Sequence, residues 1–191
     1  MFIMKRILCM LSLLLVAAGA GAQAPGEGGA LAPGIKYCFG ISGKTAGFTT
    51  YLEASPEVGI GYRIDGRNLV GVSLQGECSF WRNKLNSDRR PHECPMWNAY
   101  LFHTHDFSSG GRSFYVEYKL GLADLMTRPL GWHAGGEAGW RITAGRGTAV
   151  RIGAVFDAGH LSYPERAEGI GTLTAHRGME YSAGVVVRVE L

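Results

Sequence analysis

Apolar and polar residues alternate along most of the chain from about residue 35 to the C-terminus. Between Met179 and Leu191 every odd position is apolar, whereas the even positions include Glu180 and Arg188, and only Val186 breaks the rule. A period of two residues is typical of a β-strand with one apolar and one polar face. No later segment shows a helical period, so the pattern predicts an all-β fold.

Eight such segments occur, and turn-forming residues separate them. We predict strands over 35–42, 52–64, 69–80, 96–104, 113–122, 132–142, 150–159 and 179–191. Connections after strands two, four and six are short, and Asp65-Gly66 in the first of them is a strong hairpin signal. Connections after strands three and seven, at 82–95 and 160–177, are longer, and those after strands one and five are intermediate. This pattern predicts an eight-stranded antiparallel up-and-down barrel with both chain ends at the short-turn end.

The N-terminus has the features of a secretory signal. Lys5 and Arg6 precede an apolar run over 7–18, and Ala22-Gln23-Ala24 offers a cleavage site. The alternative, a membrane anchor, is disfavoured because the run is too short to span comfortably. We therefore predict a signal peptide over 1–24, a flexible Gly- and Pro-rich lead-in over 25–34, and the barrel over 35–191.

The composition of the polar face indicates which face is outside. The chain has 29 glycines, and many lie on that face among charged residues. A solvated exterior has no need of so many glycines, whereas the narrow interior of an eight-stranded barrel does. The predicted lumen charges, six acidic and five basic, are nearly balanced, as confined charges must be. They are Glu57, Arg63, Glu77, Glu117, Lys119, Glu137, Arg141, Arg151, Asp157, Glu180 and Arg188.

The apolar face has the features of a lipid-facing wall. Most segments alternate for about ten residues, enough for a tilted strand to cross a bilayer. Aromatic residues near strand ends suit the two interfacial girdles. They are Tyr37, Tyr62, Phe80, Phe102, Phe114, Trp132, Trp140 and Tyr181. The whole pattern over 35–191 resembles the small outer-membrane β-barrels of the opacity-protein and OmpA-transmembrane type, which implies an outer-membrane location.

Charge and cysteine content narrow the remaining possibilities. The net charge is +3, with scattered Lys and Arg, so no nucleic-acid surface is indicated. Cys78 and Cys94 are able to form a disulfide if strands three and four pair Val70 with Phe102, but two free thiols are an equal alternative. Cys38 is then alone on the lumen side of strand one.

Histidine motifs raise two chemical hypotheses. His103 and His105 share a strand face near Asp106 and offer a start for a metal site, but polar residues at the lower rim of the lumen are the preferred interpretation. His133, Glu137 and Arg141 form a row that a lumen ion network explains. The sequence therefore predicts no metal and no cofactor.

The preferred function is a structural or surface-interaction role, with lipid around the barrel and a ligand or protein at the long loops as partners. One alternative is an acyl hydrolase of outer-membrane lipid, which needs His and Ser side by side on the lipid-facing wall. His105 and Ser108 lie toward a short turn, and His160 and Ser162 are assigned to the lumen side, so the motif is not favoured. The other alternative, a secreted soluble barrel that binds an apolar ligand, requires an apolar interior.

Overall fold

The computed structural model describes residues 31–46, 51–82, 96–123, 125, 131–144, 147–166 and 173–191. Within these residues, eight antiparallel strands form a closed barrel in sequence order, β1 pairing with β8. The strands are β1 Gly34–Ala46, β2 Tyr51–Arg63, β3 Asn68–Arg82, β4 Met96–Asp106, β5 Arg112–Ala123, β6 Gly131–Thr143, β7 Ala149–Arg166 and β8 Leu173–Glu190. The two ends of the barrel segment and the β2–β3, β4–β5 and β6–β7 connections lie at one end, the short-turn end. The opposite end is called the loop end.

The predicted strand number, order and fold class are confirmed, but one connection is wrong. The segment 160–177 was predicted to be a long loop, whereas β7 continues to Arg166 and β8 begins at Leu173. The error arose because Pro164, Glu165 and Arg166 end the alternation of apolar and polar residues. Alternation of apolar and polar residues marks only the part of a strand that separates an apolar from a polar environment. A strand can continue beyond the point where the alternation ends.

The β7–β8 hairpin extends beyond its neighbours. Its register continues without interruption over eighteen pairs, from Ala149↔Glu190 to Arg166↔Leu173. The β6–β7 pairing ends at His160, and the β1–β8 pairing ends at Ser182. Among the described residues, 161–166 and 173–178 therefore pair with each other alone and form a two-stranded ribbon above the wall.

The two faces of the wall are inverted relative to a soluble protein. In β8 the Val185 side chain is 66% exposed and the Arg188 side chain is buried, with 2% exposure. Apolar side chains cover the outside of the other strands in the same way, as in β5, whose exposed and buried residues alternate. Val189 is an exception on the outward row, since it is covered, and Val186 points inward as the sequence indicated.

Most of the predicted aromatic girdle is on the outer wall. The exposed members are Tyr37, Tyr62, Phe114, Trp132, Trp140 and Tyr181. Phe107, Phe114 and Trp140 form a row of neighbouring rings at the short-turn end, with centroid distances of 5.6 Å between successive rings. The side chain of Phe80 lies outside the described part of the structure, and Phe102 was assigned to the wrong face.

The faces of β4 are the opposite of those predicted. Tyr100 and Phe102 are 3% and 5% exposed and belong to the lumen, whereas Leu101 is 66% exposed on the outer wall. The register is shifted by one residue, because Val70 pairs with His103 and not with Phe102. The register that supported a Cys78–Cys94 disulfide is therefore wrong, and Cys94 itself lies outside the described residues.

Three glycines explain why Phe102 can point inward. A Cβ atom on Gly71 would lie 2.7 Å from Cζ of Phe102, and Cβ atoms on Gly61 and Gly59 would lie 3.2 and 3.5 Å from its ring. The ring thus occupies space that these residues leave free, next to the buried side chains of Cys38 and Leu69. Glycine in β2 and β3 makes room for an aromatic ring as well as for the charges.

Candidate functional site: the lumen charge network

Three arginines and two carboxylates fill the lumen at the short-turn end. Arg63 donates to both oxygens of Glu190 at 2.7 Å through Nε and Nη2, and its Nη1 lies 3.1 Å from Asp106 Oδ2. Arg151 Nη2 lies 2.9 Å from Glu190 and 3.4 Å from Asp106, and Arg141 Nε is 3.1 Å from Asp106 Oδ1. All five side chains are fully buried, so each carboxylate is shared between arginines rather than solvated.

Arg141 also closes this end of the barrel. Its Nη2 donates to the carbonyl oxygens of Ser108 and Gly110 at 2.8 and 2.9 Å, and its Nη1 donates to Thr143 Oγ1 at 2.8 Å. The guanidinium group therefore ties the β4–β5 turn to the lumen. A single side chain joins the ion-pair network to backbone groups at the opening.

A second cluster occupies the middle of the barrel. Arg188 contacts Glu117 through Nη1, and its Nη2 lies 2.6 Å from Glu137 and 2.9 Å from Glu57. Lys119 Nζ lies 2.7 Å from Glu57 and 2.9 Å from Glu137, and 3.8 Å from Glu117. Two cations from β5 and β8 thus hold three carboxylates from β2, β5 and β6. This cluster crosses the lumen from one side of the wall to the other.

Polar residues continue toward the loop end. Lys44 Nζ lies 2.9 Å from Glu77 and 2.8 Å from Asp157, so it links β1 to β3 and β7. The Tyr100 hydroxyl donates to Gln75 Oε1 at 2.9 Å and contacts Nδ1 of His133. Tyr100 is therefore in the lumen because its hydroxyl has polar partners there, which hydrophobicity alone does not reveal.

The charged side chains buried inside the described barrel are nearly balanced in number. Eight acidic and seven basic side chains are buried there. Confined ions of this kind are stable only when they are paired and hydrogen-bonded. The sequence anticipated ten of these residues, and the side chain of Glu180 lies outside the description. The five buried charges that were not in the predicted set are Lys36, Lys44, Glu53, Asp106 and Glu190. Lys44 lies beyond the predicted end of the first strand, and Asp106 was assigned to a turn.

The row of His133, Glu137 and Arg141 is confirmed as part of this network. The assignment of His103 and His105 to the lumen rim is wrong. Both lie on the outer wall, because β4 is rotated by one residue relative to the prediction. Ser108 lies in the β4–β5 turn and its hydroxyl accepts from the Gly110 backbone N–H at 3.2 Å.

The backbone of the second His-Ser motif lies in β7, which pairs with β8 without irregularity. The backbone positions of His160 and Ser162 continue the row of Ile152 and Phe156, which are exposed on the outer wall. The side chains of His160 and Ser162 lie outside the described part of the structure.

The outer wall also carries a shallow apolar depression of about 930 Å³. Its lining is mainly outer-wall residues, such as Ile60, Leu74, Leu101 and Leu122. A surface of this composition suits hydrocarbon rather than water. Within the described ranges, no helix has the length and apolar character needed to cross a membrane.

Known structures share this architecture at low sequence identity. A crystal structure of Neisserial surface protein A aligns with a TM-score of 0.54 and 14% identity, covering 82% of this chain and 94% of that chain. The N-terminal β-barrel domain of Pseudomonas aeruginosa OprF aligns with a TM-score of 0.45 and 14% identity, covering 84% and 100%. No protein-family model and no curated protein matches the sequence. The fold is that of the small eight-stranded outer-membrane barrels.

Proposed function

We propose that this chain is an outer-membrane barrel with a sealed lumen, and that its role is structural or in surface interaction rather than in transport or catalysis. The observation that carries the proposal is the inversion of the wall, with paired charges inside and aliphatic side chains outside. In a soluble barrel that inversion would expose the apolar wall to water. A charged interior is also unsuitable for an apolar ligand, which argues against a secreted soluble binder.

Membrane location is tested by fractionation. We expect the protein to sediment with outer membranes and to require detergent for extraction. Recovery as a soluble periplasmic protein without detergent would contradict the proposal. The extracted protein is compared on a denaturing gel before and after boiling. Different mobilities of the two samples would show that the extracted barrel is folded.

The sealed lumen is tested by conductance in a planar bilayer. We expect the reconstituted wild-type barrel to be silent, because ion pairs at the short-turn end and in the middle fill the lumen. Channel openings of the reconstituted wild type that are absent from a bilayer given detergent alone would show that the lumen is a pore.

A second candidate, acyl hydrolysis of membrane lipid, is favoured by one observation. The backbone positions of His160 and Ser162 continue the outer row of β7, with His160 as the last residue paired with β6 and Ser162 in the ribbon just above the wall. Hydrolysis would need the imidazole to accept the hydroxyl proton of Ser162 as that oxygen attacks the ester carbonyl. The ester C–O bond then breaks, the imidazolium returns the proton to the departing alcohol, and water cleaves the acyl-serine to release the fatty acid. Release of fatty acid from lipid by the wild type, and its loss in Ser162→Ala, would establish this activity and replace the structural role.

A further inference from the structure

Two histidines and an asparagine converge on the outer wall at the short-turn end. His103 and His105 are two residues apart on β4 and share a face, and Asn68 at the start of β3 is paired directly with His105. His103 Nε2 lies 3.3 Å from Asn68 Oδ1, and His105 Nδ1 lies 2.9 Å from the same oxygen. Neither histidine takes part in the lumen network described above.

These nitrogen–oxygen distances match the distances between adjacent ligand atoms around a single metal ion. Zinc binds imidazole nitrogen at about 2.0–2.1 Å and side-chain oxygen at about 2.0–2.2 Å. Tetrahedral or octahedral angles then place adjacent ligand atoms about 2.9–3.4 Å apart. The two ring nitrogens already lie at such distances from the amide oxygen, so a metal ion would require small movements of side chains. His103 is exposed and His105 is half-buried on the outer wall near the short-turn end, so the group is accessible from outside the barrel.

Asp65 holds the asparagine with its oxygen toward the histidines. The Asn68 Nδ2 group donates to both carboxylate oxygens of Asp65, at 3.1 and 2.9 Å. The backbone N–H groups of Arg67 and Asn68 donate to Asp65 Oδ1 at 2.7 Å each. An orienting carboxylate of this kind is a common second layer around bound metal.

We propose that His103 Nε2, His105 Nδ1 and Asn68 Oδ1 bind one divalent transition-metal ion, with water completing the coordination. Two imidazoles favour zinc, copper or nickel over calcium and magnesium, which prefer oxygen. Among the described residues, no group of three or more His, Cys, Asp or Glu side chains is arranged to hold a metal ion, and here the third donor is an amide. Without metal, each of the two ring nitrogens donates an N–H hydrogen bond to Asn68 Oδ1. When the metal binds, each ring changes tautomer: its proton moves to the other ring nitrogen, so no proton is released to solvent.

The test is calorimetric titration of the tag-free mature protein in detergent with Zn²⁺. We expect one ion per chain, and at least about tenfold weaker binding in His103→Gln and in His105→Gln. His133→Gln, which removes a histidine from the lumen, is the matched control and should leave the affinity unchanged. Circular dichroism and the gel mobility of unboiled samples verify that each variant is folded.

A second measurement identifies the donor atoms. In the electron paramagnetic resonance spectrum of the Cu²⁺-loaded protein, we expect coupling to two imidazole nitrogens, and loss of one in each histidine variant. Binding that persists unchanged in both variants would place the metal elsewhere and overturn the proposal. Absence of Zn²⁺ binding in the folded wild type would overturn it as well, leaving the two histidines as hydrogen-bond donors to Asn68.

Discussion

Removal of the Arg188 guanidinium should strongly destabilise the barrel. In Arg188→Met the side chain keeps similar length but loses its charge, and three carboxylates remain with Lys119 as their nearest cation. The lost contacts include those at 2.6 Å to Glu137 and 2.9 Å to Glu57. Truncating one partner of a buried ion pair costs about 3–5 kcal/mol because the other charge is left uncompensated. We expect a loss in that range.

The measurement is urea unfolding in lipid vesicles, followed by the fluorescence of tryptophans such as Trp132 and Trp140 on the outer wall. Arg67→Met, in the exposed β2–β3 turn, is the matched control and should change the free energy of unfolding by less than about 0.5 kcal/mol. The double variant Arg188→Met/Glu137→Gln restores the original excess of one negative charge in the cluster and should recover part of the loss. A change below about 1 kcal/mol in the single variant would refute the reasoning, as would a double variant no more stable than the single one.

Three further predictions concern packing and the proposed metal site. Phe102→Ala should lower the free energy of unfolding by about 3–5 kcal/mol, because it empties the space between the glycines of β2 and β3. Gly71→Ala should cost about 1–3 kcal/mol by overpacking, since its Cβ would lie 2.6 Å from Gly61 Cα. The same urea titration measures both, and an unchanged midpoint in either would contradict the packing described. Asp65→Ala should weaken Zn²⁺ binding about tenfold by calorimetry, and wild-type affinity would show that the carboxylate does not position Asn68.

The alternation of residue types was sufficient to predict the barrel because side chains of a strand point to opposite faces in turn. The excess of glycine and the balanced charges on one face then identified the lumen. The prediction failed in β4, where Tyr100, Leu101 and Phe102 are three consecutive large hydrophobic residues and show no alternation. The direction of Tyr100 and Phe102 depends on hydroxyl partners and on glycines in other strands, and neither is visible within the segment itself.

The pairing of the lumen charges was also beyond the sequence. Arg63 and Glu190 are 127 positions apart, and Arg188 and Glu57 are 131 apart. Which charges meet across the lumen depends on the stagger between strands around the whole barrel, because a shift of one residue changes every facing pair. A sequence can therefore indicate that charges are confined without indicating their partners. The convergence of Asn68 with the two histidines was hidden for the same reason.

The hairpin that rises above the wall marks where the hydrocarbon must end. Beside it, the nine residue pairs of β1 and β8 span about 23 Å along the membrane normal at a strand tilt of about 40°. A two-stranded ribbon leaves backbone groups on both edges that hydrocarbon cannot satisfy. The level of His160 and Ser182 is thus the boundary between hydrocarbon and water on this side of the barrel. The six pairs above it reach about 15 Å into the aqueous exterior, so β7 and β8 would be the first strands that an approaching molecule meets.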